Sequence, residues 1–308
     1  MSDIFDHPDL RDPSWERKLK QETRRSRWRR NRRRVAILLA VAVVGAGGAY
    51  LYASQPEQQN TPPSAQPQAT VATTPTTMQT RAKVDLTQPF AGTPAAGWSD
   101  GEAGVVVPAA TPLNGFTAKQ VTDALTKARQ AFITANLDSG RLHDHNPEPL
   151  AALFAKDAQA PLRTETAYRV RIAAGFKLLP APPKVNGTLT AQLGEKGELV
   201  IKANFSVAYA FDVDDLGKIR DAMDIVAVYR VESHYVFLDG KQFPSTSRGM
   251  WPGAWQSYFY SIACGPFREG LLAPAYSERR TVPGVGDPED GRKKAFDPNL
   301  PMATEDTC

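Results

Sequence analysis

Eighteen consecutive residues without a charge, Val35 to Tyr52 (VAILLAVAVVGAGGAYLY), follow directly on eight arginines in eleven positions: Arg24, Arg25, Arg27, Arg29, Arg30, Arg32, Arg33 and Arg34. As a helix rising about 1.5 Å per residue, the segment spans roughly 27 Å against a hydrocarbon core of about 30 Å. It predicts one transmembrane helix over residues 35–52. The arginines precede the span, and Tyr50 and Tyr52 fall where an interfacial aromatic belt lies. The positive-inside rule therefore places residues 1–34 in the cytoplasm and the rest of the chain outside it. The arginine run suits anionic lipid headgroups. A cleaved signal peptide is the competing reading, since Gly47, Gly48 and Ala49 offer small residues to a peptidase; the long charged leader and the bulky Leu51 and Tyr52 favour an anchor.

Charge is distributed unevenly about that span. Residues 1–34 carry twelve Lys and Arg against six Asp and Glu, a net of +6, whereas the whole chain is only +4. The remaining 274 residues are thus slightly acidic, which argues against a nucleic-acid-binding domain because phosphate binding needs a basic face on the folded part. Both cysteines, Cys264 and Cys308, lie in the exported part, and two thiols in an oxidising compartment are expected to pair. Free thiols or a bond to a partner are the alternatives.

Four further segments organise the chain. Asp12 and Pro13 read as a helix cap and first helical position, opening a helix with no breaker before the span. Residues 53–82, rich in Pro, Gln, Thr and Ala, bury too little to offset chain entropy and read as a disordered linker. Residues 83–113 regain Phe90, Trp98 and Val105 to Val107 among Gly and Pro, as an irregular arm able to dock on a domain. The domain proper is expected over residues 114–308, with its C-terminal tail pinned by the disulfide.

Within it, Thr117-Ala-Lys-Gln is a capping box, with Phe116 and Val121 at the staple positions. Val121, Ala124, Leu125, Ala128, Phe132 and Ile133 then recur at helical spacing, predicting an amphipathic helix to about Leu137. A shorter helix is expected over residues 149–156. Beyond residue 164 the period changes to two. Leu199 to Phe211 puts Leu199, Ile201, Ala203, Phe205, Val207, Tyr209 and Phe211 on one face, with Lys202, Asn204 and Ser206 opposite, as in a half-buried strand. It pairs with 184–193 through the Gly194–Gly197 turn. Further strands are expected over 224–238 and 255–263. Helices followed by a meander of antiparallel strands mean an α+β domain with the helices on one sheet face.

That element order, over residues 114–264, resembles the NTF2-like and cystatin-like group, whose curved sheet wraps its N-terminal helix into a cone. Placed after a transmembrane helix, it is similar to the extracytoplasmic domains of VirB8-type and Mce-associated proteins of bacterial envelopes. The Ala-, Arg- and Pro-rich composition suggests a high-GC actinobacterium.

The chemistry is sparse. There is no G-x-S-x-G, S-x-x-K, H-E-x-x-H or C-x-x-C, and no cofactor motif. His143 and His145 flank Asp144 in a tight group, yet adjacent loop side chains seldom converge on one metal. Asp212, Asp214, Asp215 and Gly217 approach a calcium loop, but Leu216 and Met223 break the pattern, leaving a charged turn. Glu232 and His234 share a face with Arg230, opposite the apolar one, as a solvent-facing cluster. Trp251, Trp255, Tyr258, Phe259 and Tyr260 line either a pocket, an interface or the mouth of the sheet. The expectation is a non-enzymatic, membrane-anchored interaction domain that assembles with envelope proteins or with itself. The alternative, a small-ligand-binding domain or hydrolase using the cone interior, requires a cavity that reaches Glu232, His234 or the aromatic group.

Overall fold

The computed structural model describes residues 84–166, 168–195, 197–278, 288–303 and Cys308. The basic tail 1–34, the apolar segment 35–52 and the linker 53–82 lie outside the described residues. Among the described residues no helix is long and apolar enough to cross a membrane.

The long helix, α1 (Ala118–Asn136), starts where the capping box places it. Thr117 Oγ1 accepts from the Gln120 amide, and the Gln120 side chain accepts from the Thr117 amide. All six residues of the expected apolar stripe are buried, joined by Ala131, Ala135 and Asn136. Three short helices follow where the sequence reading expected one: α2 (Ser139–Asp144), α3 (Glu148–Ala151) and α4 (Gln159–Thr164). Each is too short to show a helical period, and the chain turns between them at the left-handed His145 and at Pro147.

The sheet is an antiparallel meander of five strands in sequence order: β1 (Ser99–Asp100), β2 (Lys184–Leu193), β3 (Glu198–Ala210), β4 (Val226–Leu238) and β5 (Gly249–Tyr260). The expected β2–β3 hairpin forms, with Leu193 opposite Leu199. At Gly187 a side chain would collide with the Asn204 carbonyl and the Phe205 ring, so that position requires glycine. The last strand begins six residues before its expected start. Pro252 and Gly253 masked it in sequence, but β5 occupies the edge, where Pro is tolerated, and the register shifts there between Ser233 and Tyr235. It also ends earlier, because Ser261 takes a positive φ of 58°.

One face of the sheet packs on α1. Phe132 meets Phe205 with ring centroids 4.5 Å apart, and the Tyr209 hydroxyl donates to the Asn136 carbonyl at 2.8 Å. The opposite face departs from expectation. Rather than meeting solvent, its Ala208, Ala210, Val226 and Val228 form a second core with Phe90 and Ala95 of the arm and with Ala295 and Phe296 of the last helix, α6 (Pro288–Phe296). Helices therefore cover both faces. The polar residues read as solvent-facing secure this layer: Ser206 Oγ donates to the Ala295 carbonyl (2.7 Å), Asn204 Nδ2 to the Pro298 carbonyl (2.8 Å), and Arg230 to the same Pro298 carbonyl (2.8 Å) and to Val231 (3.1 Å). Arg230 is only 2% exposed. Its burial pulls its pKa down, against the opposing influence of Glu232 and Asp297.

The described part of the arm packs on the sheet and on α1. Trp98 sits 5.6 Å from Phe296, and Arg129 of α1 donates to the Val105 and Glu102 carbonyls. Cys264, which opens α5 (Cys264–Arg268), is bonded to Cys308, with Cα atoms 5.2 Å apart. The chain's last residue is thereby fixed beside α5.

Candidate functional site

A cavity of about 380 Å³ opens beside edge strand β5, on the α1-covered side of the sheet. Alternation along β5 sends Trp255, Ser257 and Phe259 to this side, and Tyr229 of β4 stands opposite Phe259, ring centroids 4.6 Å apart. Phe267 of α5 extends the aromatic wall at 5.3 Å from Phe259. Tyr258 and, from the C-terminal segment, Ala303 complete the lining on the β5 side.

The remaining wall is the irregular segment after α4. The Val170 amide donates to the Ala135 carbonyl, the Ile172 amide to Leu142, and the Leu272 amide to Arg171, so residues 170–173 lie beside 271–273. This backbone frame holds Arg169 and Arg171, two positions apart, against the cavity. Arg169 donates through one terminal nitrogen to the Leu162 and Glu165 carbonyls. Arg171 does the same to Glu269 and Gly270. The Nε of each is buried without a hydrogen-bond partner, and among the described residues neither guanidinium forms an ion pair. Burial lowers the Arg169 pKa, and the neighbouring Arg171 charge lowers it further.

Among the described residues the lining holds no carboxylate, imidazole or thiol. Its buried polar group is the Tyr229 phenol, whose pKa is raised by burial against the opposing contacts of Trp255 and Ser257, so it stays neutral. Such a wall can bind and orient a ligand.

The residues singled out in the sequence distribute over several places. Trp255, 37% exposed at the rim, and Tyr258 line the cavity. Trp251 donates from Nε1 to the Ser247 carbonyl, and Tyr260 lies on the opposite face against Phe296. Glu232 and His234 do not reach the cavity. They form a half-buried network with Lys202, in which Glu232 lies 2.7 Å from Lys202 Nζ and 3.3 Å from His234 Nε2. His143 and His145 are tied to different carbonyls, those of Ser139 and Ile172. Asp212 and Asp215 accept from the amides of Val213 and Gly217, while Asp224 pairs with Arg220 at 2.9 Å; all line a broad surface depression with Lys177 and Lys218.

Arg169 and Arg171 were missed in the sequence. The available signal was the alternation Tyr168-Arg169-Val170-Arg171-Ile172, a period of two that puts both arginines on one side of an extended segment. No protein-family model matches this chain, and neither the curated proteins nor the solved structures yield a match.

Proposed function

We propose that this chain is a membrane-anchored, non-enzymatic binding protein of a bacterial envelope, whose extracytoplasmic α+β domain takes a small ligand into the cavity beside β5. On this reading residues 35–52 span the membrane, the arginines of residues 24–34 meet anionic headgroups on the cytoplasmic side, and the NTF2-like or cystatin-like cone provides the ligand site. The Cys264–Cys308 bond supports export, since such bonds persist in oxidising compartments. The observation that carries the binding role is the cavity itself: aromatic walls and two arginines that, among the described residues, have no carboxylate partner.

The test is native mass spectrometry of the full chain released from its own membranes by mild detergent. A recurring small-molecule adduct, lost when Ser257→Phe fills the cavity, supports the reading. An adduct that persists in the filled variant, or a bare wild-type chain, refutes it. Recurring protein neighbours joined through residues 114–308 would favour instead the assembly role expected from topology, for which the half-exposed Trp255 is the natural contact.

A further inference from the structure

We infer that the cavity takes a small organic anion, its carboxylate or phosphate held by Arg169 and Arg171 and its aromatic or alkyl body laid against Trp255, Phe259 and Phe267. The inference rests on reading the cavity as a ligand site and adds the chemistry of the occupant.

Three observations carry it. Two guanidinium groups stand on one wall of the cavity, two positions apart, and among the described residues no carboxylate pairs with either. The guanidiniums are also held in place. Each spends a terminal nitrogen on two backbone carbonyls, and at Gly270 (φ +72°) a side chain would come within 2.9 Å of the Arg171 terminal nitrogen. One terminal nitrogen of each is committed to the protein, and among the described residues the other has no acceptor, leaving it for a multi-oxygen anion of the kind that arginine suits. Finally, the cavity volume of about 380 Å³ lies at the lower end of the range of small-molecule sites, about 300–1,000 Å³. That room suits one or two rings, or a short alkyl chain, and excludes a diacyl lipid as a whole. Opposite the arginines the walls are aromatic, so charge and apolar surface are segregated to match an amphiphile.

The experiment is titration calorimetry of the purified full chain in a neutral detergent with three probes of one shape: naphthoate, naphthyl phosphate and the uncharged naphthamide. The anions are expected to bind about tenfold or more tightly than the amide, the size of one charge-assisted hydrogen bond. Arg169→Gln with Arg171→Gln should bring the anions down to the amide's level, and Arg171→Lys should restore part of the difference. Equal binding of anions and amide to the wild type overturns the inference while leaving a ligand site; failure of all three probes to bind overturns the site as well. Should the double variant not fold, having lost four carbonyl contacts, competition on the wild type decides the same question. Added sulfate must weaken naphthoate and spare naphthamide, and no effect of sulfate overturns the inference.

Discussion

Replacing both Cys264 and Cys308 by serine tests how the C-terminal layer is held. The bond closes a loop of 44 positions, and the loop-entropy relation assigns about 4 kcal/mol to a link of that span. Against a typical domain stability of about 5–15 kcal/mol, this is a large fraction. For a folded unit of this size it lowers the melting temperature by about 8–16 °C. The layer should stay docked all the same. Ser206, Asn204 and Arg230 grip the carbonyls of Ala295 and Pro298, and Ala295 and Phe296 are buried, all without help from the sulfurs. The loss therefore acts through the unfolded chain, which becomes more expanded, so the urea dependence should steepen as the midpoint falls. Urea unfolding of residues 77–308, a compact unit by themselves, read by tryptophan fluorescence with hydrogen exchange over 288–303, measures both effects. A drop below about 1 kcal/mol would refute the entropic reasoning. Exchange over 288–303 becoming fast at zero urea would refute the claim that side chains hold the layer.

Arg230→Ala should act in the opposite way, loosening 288–303 in hydrogen exchange with the disulfide intact and costing about 3 kcal/mol, since it removes charge-assisted bonds to buried carbonyls and leaves a void. Thr117→Ala removes one side of the capping box and should cost about 1 kcal/mol in urea unfolding, with no effect on probe binding. Acid should destabilise the fold through Asp224 and Glu232. Burial would raise each carboxyl, but bonds from Arg220 to Asp224, and from Lys202 and His234 to Glu232, outweigh it and hold both pKa values below the ordinary range. Their contribution is therefore full above the unfolded-state values of about 4 and is lost as pH falls through the lowered folded values. Asp224→Asn should melt below the wild type near neutral pH, and the gap should narrow below about pH 4.

Where one interaction is local, the sequence was a sufficient guide. The capping box at Thr117 needs only four residues in a row, and the stripe on α1 and the β2–β3 hairpin follow from periods and a turn. The short helices α2 to α4 escaped because none completes two turns of a recognisable pattern, and β5 escaped in part because Pro252 and Gly253 signal a break that an edge strand tolerates.

What the sequence determined by itself is thus the α+β order of elements and the apolar faces, together with the expectation that two cysteines pair. Tertiary structure alone decided what meets the other faces. Asn204, Ser206 and Arg230 are polar in a period-two strand, so the pattern assigns them to solvent; Ser206 and Arg230 are buried and Asn204 half-buried because backbone carbonyls of a distant segment satisfy them. Arg169 and Arg171 stand on a cavity wall only because Val170 and Ile172 are tied to α1 and α2 and because α5, distant in sequence, brings Phe267 to the other side. Periodicity records which residues avoid water. Which polar groups find partners within the fold, and which are left open to a ligand, depends on contacts between segments that no local pattern encodes.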